Sequence, residues 1–230
     1  MATFVLVHGA WSGGYVWRPN ARALRQAGHE VYTPTLTGVG ERSHLLRAGI
    51  DLDTHIADVL NVIKYEQLSD IVLCGHSYGG MVVTGVADAV PEKIASLVYL
   101  DAFVPENGQA LSDIVPANRN QPAGDGISVP PLPSSAFGVD PKKAAQREAL
   151  MSPHPAACLT QKIKLSGGIA RIKKRTYIYA NDPQPTSFTR FYERFRDAPG
   201  WEVHTLPCTH LVQLDMPDEL TRLLLRAIPR

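Results

Sequence analysis

Short runs of β-branched and apolar residues recur along the chain at Thr3 to Val7, Glu30 to Thr33, Ile71 to Cys74, Ala95 to Leu100, Arg175 to Ala180 and Trp201 to Thr205. Each is the length and composition of a strand. Between most of them the apolar positions switch to helical spacing. Ile56, Val59, Leu60 and Ile63 fall at i, i+3, i+4 and i+7, and Leu220, Leu223, Leu224, Ala227 and Ile228 give the last segment one apolar face. Alternation of strand and helix predicts an α/β architecture, a mostly parallel sheet with helices on both faces. There is no internal repeat.

One stretch breaks this rhythm. From about Pro105 to Leu165 the chain holds nine of its eighteen prolines, including Pro130-Pro131-Leu132-Pro133, and only Pro141 to Met151 reads as helix. A linker between two domains would leave 65 residues after it, too few for a second core but enough for two strands and two helices that complete the first. The expectation is one α/β core from residues 1–104 and 166–230, with residues 105–165 inserted as a lid over one edge of the sheet.

Composition narrows the partners. The chain has 230 residues, a formal net charge of +1 and 44% apolar residues, which suits a small neutral ligand and gives no field toward nucleic acid or a membrane surface. The basic run Arg171 to Arg175 has no aromatic stacking platform beside it and reads as a solvated face. Cys74, Cys158 and Cys208 lie in no metal-ligand spacing and form no disulfide framework. With no basic leader and no apolar run near the ~18 residues of a membrane span, the expected compartment is the cytoplasm.

The chemistry starts at Gly75-His76-Ser77-Tyr78-Gly79, a G-x-S-x-G directly after an apolar strand and directly before Gly80-Met81-Val82-Val83-Thr84. Strand, tight turn and helix in that order form a nucleophile elbow, with glycines where side chains would collide. A serine hydroxyl is a weak nucleophile at neutral pH and needs a histidine base oriented by a carboxylate. Downstream of Ser77 stand His154, in the proline-rich stretch, His204, inside a strand, and His210, just beyond a strand and before the last helix. His210 is the expected base. Two aspartates follow strand ends: Asp182, after Arg175 to Ala180, and Asp101, after Ala95 to Leu100. Asp182 is the favoured acid because its loop adjoins the histidine loop; the alternative role of Asp101 is a local cap or lid contact. Two amide donors are also required for the developing oxyanion. Tyr78, after the nucleophile, supplies one, and Ala10 in the loop His8-Gly9-Ala10-Trp11-Ser12-Gly13-Gly14 supplies the other. That glycine-rich loop lacks a dinucleotide fingerprint or a Walker lysine, so a phosphate cradle is not expected.

With these residues in place the chain resembles the α/β-hydrolase fold superfamily. It is similar to the branch that holds plant methyl salicylate esterases and hydroxynitrile lyases, and to small bacterial carboxylesterases. The resemblance runs through Phe4-Val5-Leu6-Val7-His8-Gly9-Ala10-Trp11, the elbow, Leu97-Val98-Tyr99-Leu100 and the loops of the acid and base; residues 105–165 match poorly. It implies a six-stranded sheet without the usual N-terminal hairpin. Lyases of the branch carry a lysine after the catalytic histidine and a threonine at the position of Gly9. Leu211 and Gly9 stand there in this chain, so the resemblance implies an esterase and not a lyase.

The expected activity is two-step hydrolysis of small, neutral, hydrophobic esters through an acyl-enzyme, with no metal or organic cofactor. A lactonase using the same residues and a small-molecule receptor with slow turnover are the alternatives. Trp11, Phe103, Leu132, Phe137 and Leu211 are the expected lining of the substrate pocket. No basic residue adjoins the elbow or the oxyanion loop in sequence, so anionic esters are expected to be poor substrates.

Overall fold

Within Thr3–Val7, Phe4 and Leu6 pack into one apolar cluster and Val5 and Val7 into another, and all four are fully buried. A strand whose two faces both enter a core must lie inside a sheet that is covered on each side. The same alternation holds in the other central strands: Val72 and Cys74 against Ile71 and Leu73, Val98 and Leu100 against Leu97 and Tyr99, and Ile178 and Ala180 against Tyr177 and Tyr179.

The computed structural model of the protein describes residues 1–115, 124–139, 141–182 and 186–229, and of residues 141–143 and 146 the backbone only. In chain order the elements are β1 (Thr3–Val7), α1 (Arg18–Gln26), β2 (Glu30–Tyr32), α2 (Leu52–Tyr65), β3 (Ile71–His76), α3 (Gly79–Ala89), β4 (Ile94–Leu100), α4 (Leu111–Ile114), β5 (Ser128–Val129), α5 (Pro141–Glu148), β6 (His154–Pro155), α6 (Ala157–Thr160), β7 (Arg175–Ala180), α7 (Thr189–Phe195), β8 (Trp201–Leu206), α8 (Val212–Asp215) and α9 (Pro217–Arg226). Six strands form one sheet in the order β2-β1-β3-β4-β7-β8, with every neighbouring pair parallel. This is the expected six-stranded α/β sheet.

One face is covered by α1 and α9, which meet through Asn20: its Nδ2 donates to Pro217 O at 2.8 Å and to Thr221 Oγ1 at 3.0 Å. The other carries α2, α3 and α7, whose Val59, Ile63, Val83, Phe191 and Phe195 enter the larger cluster. A side chain as fully buried as Val59 contributes about 1.5–3 kcal/mol. The Asp51 carboxylate starts α2 by accepting from Thr54 N at 2.9 Å, and so fixes where His55 enters the core. Among the described residues no helix is long and apolar enough to cross a membrane.

Chain direction across the sheet decides where a site can form. From β1 the chain moves outward to β2, then returns to β3 and continues the other way to β4, so the loops after β1 and β3 part at a switch point. Residues 105–165 do depart from the strand-helix rhythm. Between β4 and β7 run the short elements α4, β5, α5, β6 and α6, with β5 and β6 paired antiparallel apart from the main sheet. Residues 116–123 and 140 of that stretch lie outside the described residues.

Candidate active site

Ser77 sits at the switch point, between the last residue of β3 and the first of α3, with φ at 55°. That left-handed backbone costs a non-glycine residue about 1–3 kcal/mol and persists only where its surroundings hold it. Ser77 N donates to Leu100 O at 3.2 Å, while Ser77 O accepts from Gly80 N at 3.0 Å and Phe103 N at 3.2 Å. A Cβ on Gly75 would lie 2.6 Å from Gly79 O, and one on Gly79 would lie 2.7 Å from His8 O, so strand, helix and oxyanion loop approach as closely as backbones allow. The elbow expected from the sequence is present.

The carboxylate that meets His210 is the one that follows β4 and not the one after β7. His210 Nδ1 donates to Asp101 Oδ2 at 2.7 Å, with 9% and 0% of the two side chains exposed. Asp182 is exposed, two residues past β7, and its backbone N bonds to Cys208 O at 3.1 Å. The cause is the strand order. β4 lies beside β3, so Asp101 emerges next to the elbow, while β7 lies one strand further out. Asp101 itself has φ at 40°, its N donates to Ile178 O at 2.7 Å, and its Oδ1 accepts from Ala180 N at 3.1 Å.

Aromatic rings enclose the base. Phe188 stacks on His210 with centroids 4.8 Å apart and planes 9° apart, Phe137 at 5.3 Å and 23°, and His76 lies at 4.6 Å. Burial in this setting, with the Arg147 cation adding to it, lowers the His210 pKa to about 3 and keeps Nε2 free to take a proton. Burial raises Asp101 well above the usual carboxylate range, opposed by the Ala180 N–H. Arg147 brings a cation near His210, though no contact of it with the elbow or the oxyanion loop is seen among the described residues. It comes from α5, lies over the Phe137 ring at 5.1 Å and donates to Ser134 Oγ at 3.0 Å.

The loop after β1 is held against the elbow. His8 Nε2 accepts from Leu36 N at 3.1 Å, so its Nδ1 carries the hydrogen and donates to Gly9 O at 2.7 Å. A Cβ at Gly9 would fall 3.0 Å from Ser77 Cβ and 3.2 Å from His76 Nδ1, so a threonine there would require the elbow to shift by a few tenths of an ångström. Among the described residues neither Ala10 N nor Tyr78 N bonds to a protein acceptor, as two donors reserved for an oxyanion require.

Of the expected lining residues, Phe137 stands against His210 and Phe103 binds the elbow through its backbone while its ring packs on Phe188 at 4.7 Å. Trp11 ties the oxyanion loop to the β5–β6 pair, its Nε1 donating to Val129 O at 3.0 Å. Leu211 follows His210, and both it and Leu132 are half-buried. Phe188, Arg147, His76 and His154 are the residues that sequence reasoning missed. For His76 the signal was its place inside the elbow; Arg147 lies in a helix with no pattern that ties it to Ser77, and Phe188 and His154 lie in segments without periodicity.

Among the described residues the atoms of His55, His154 and Cys158 lie close enough together to hold a metal ion. His55 already uses both nitrogens, Nδ1 accepting from Tyr78 OH at 2.9 Å and Nε2 donating to Thr37 O at 2.8 Å, and burial pushes the Cys158 thiol up to about 12. The donor set suits a hydrogen-bonded cluster and disfavours a cation.

Residues 4–223 match the model of the alpha/beta hydrolase family. The chain is 45% identical over 234 residues to a carbendazim hydrolyzing esterase of Nocardioides sp. (strain SG-4G), covering 96% of this chain and 97% of that one. It is 26% identical over 250 residues to salicylic acid-binding protein 2 of Nicotiana tabacum, covering 96% and 91%. An extracellular alpha/beta-hydrolase from a Paenibacillus species superposes over 100% of both chains with a TM-score of 0.83 and 25% identity. The elbow, the buried His210–Asp101 pair and the two free amides are thus set in a chain that belongs to the alpha/beta hydrolase family and is a carboxylic ester hydrolase within it.

Proposed function

We propose that the protein hydrolyses esters of small, neutral, hydrophobic compounds through an acyl-enzyme on Ser77. His210 Nε2 takes the Ser77 hydroxyl proton as Oγ attacks the ester carbonyl, and Asp101 stabilises the imidazolium through Nδ1–H. The Ala10 and Tyr78 amides receive the oxyanion, Tyr78 at the N-terminal end of α3 where the helix dipole adds to its N–H. His210 then returns the proton to the departing alkoxide, and water repeats the sequence on the acyl group. The observation that carries this is the 2.7 Å His210–Asp101 bond, buried beside a serine held at positive φ.

Residues 105–165 act as the lid. Phe137 against His210 and the Trp11–Val129 bond support that role, and the Phe137 and Phe188 rings favour an apolar group on the substrate. The three cysteines are free and buried, which supports a reducing compartment, the cytoplasm.

The test is stopped-flow hydrolysis of p-nitrophenyl butyrate with mass analysis of the quenched protein. A burst of p-nitrophenol with the butyryl group on Ser77, absent in Ser77→Ala, is expected. Binding without turnover would make the protein a receptor, and a higher kcat/KM for an anionic ester than for its neutral analogue would remove the substrate assignment.

A further inference from the structure

We propose that His154, from the inserted stretch between β4 and β7, is a positioning residue that braces the oxyanion hole from behind. The proposal rests on the assignment of Ala10 and Tyr78 as oxyanion donors, and it adds a role that neither donor nor the Ser77 set fills.

His154 is fully buried and touches both halves of the hole. On one side its Nδ1 accepts from Trp11 N at 3.4 Å, with the two rings 6.2 Å apart, and Trp11 directly follows Ala10. On the other its ring meets Tyr78 edge-on, with centroids 4.6 Å apart and planes 74° apart. Tyr78 is itself anchored, its hydroxyl donating to His55 Nδ1. One side chain of the inserted stretch therefore links the residue that follows the first donor to the ring of the residue that carries the second.

Trp11 needs such support. Its φ is 60°, which a bulky residue adopts only when its surroundings impose it. Its three hydrogen bonds all lead to the inserted stretch: N to His154, Nε1 to Val129 O, and its carbonyl oxygen accepting from Ser152 N at 3.1 Å. Without them the Ala10–Trp11 peptide is free to turn about Ala10 Cα, and the adjoining Gly9–Ala10 peptide, which carries the first donor, loses the neighbour that holds it in place.

The state of His154 points the same way. With Nδ1 accepting, the neutral ring carries its hydrogen on Nε2, and Nε2 is buried with no partner among the described residues. A leucine would fill the space without that penalty, so what the histidine adds is the Nδ1 lone pair. Burial, with His55 and His8 nearby, keeps the ring neutral and that lone pair available.

Two variants separate this role from packing. His154→Leu keeps bulk and removes the acceptor; His154→Asn keeps an acceptor near the Nδ1 position. With p-nitrophenyl butyrate, His154→Leu should lower kcat about 10- to 100-fold, less than the ~10²–10³ that losing a donor outright costs. KM should change little, and His154→Asn should restore most of the rate. Affinity for a trifluoromethyl ketone, which Ser77 converts to an oxyanion adduct, should fall in step with kcat. If His154→Leu does not fold, His154→Gln, whose polar end reaches the Nε2 position, replaces it with the same expected loss. Wild-type kcat in His154→Leu, equal losses in Leu and Asn, or a loss confined to KM overturns the proposal. Fluorophosphonate labelling of Ser77 in the unaltered protein is read separately. If it fails, the catalytic assignment falls and the brace with it, whereas labelling with an unaffected His154→Leu removes the brace alone.

Discussion

His76 donates from Nε2 to the backbone carbonyl oxygen of His210 at 2.9 Å, and the two rings lie 4.6 Å apart. The residue before the nucleophile thus holds the loop of the base. Replacing His76 with Phe keeps a ring and removes the donor, so kcat for a neutral ester should fall about tenfold while the protein stays folded, the size of effect expected from a misplaced base. Unchanged kcat in a folded His76→Phe protein would show that the loop holds its place without this bond.

Asp101→Asn should lower kcat by about 10³–10⁴, because an amide in that place leaves the imidazole in the wrong tautomer. Asp182→Asn should stay within about twofold, as surface changes away from a site do. The comparison is made at saturating substrate, and a reversed order would return the acid to the end of β7.

Arg147 disfavours the imidazolium, so removing its charge should raise the pKa of the His210–Asp101 pair. The acid limb of kcat/KM is therefore expected below the ordinary histidine value, and to move to higher pH in Arg147→Gln. A limb that stays in place would mean that the guanidinium does not act on the base.

His8, His55, His76 and His154 are buried, and burial lowers the pKa of each, His8 to about 4. The folded values lie below the unfolded 6.5, so the unfolded chain takes up protons first as the pH falls. Stability should therefore be complete above pH 6.5 and be lost from there toward pH 4, with about 3 kcal/mol from His8 alone. Urea unfolding at pH 7, 6 and 5 measures this. A stability that does not fall across the series would contradict the buried neutral histidines.

Much of this site could be read before any coordinates. The strands, the elbow and the loop of His210 announce themselves because a tight turn between strand and helix needs glycines at fixed places, and a base must follow a later strand. The carboxylate did not, because Asp101 and Asp182 both end strands and both fall between Ser77 and His210 in the chain. Only the lateral order of strands separates them, and order is set by packing between distant segments. A charged residue closing the largely apolar, buried run of β4 was the clue available, since a carboxylate in the middle of a covered sheet requires a partner. Phe188, Arg147 and His154 left no such trace. They reach the site from α5, β6 and the turn before α7, elements whose path over the sheet is set by packing between distant parts of the chain.

The Asp101–His210 bond spans 109 residues of chain. While the protein is being synthesised, β1, β3 and β4 leave the ribosome together with a carboxylate that has no imidazole to meet it. Until β8 and its following loop emerge, that carboxylate stays hydrated, because closing the sheet over an unpaired charge is costly. The nascent chain can assemble its elbow early, yet the edge that holds Asp101 is expected to stay open until the residues from Trp201 onward arrive, so that competence for hydrolysis should appear only at the end of translation.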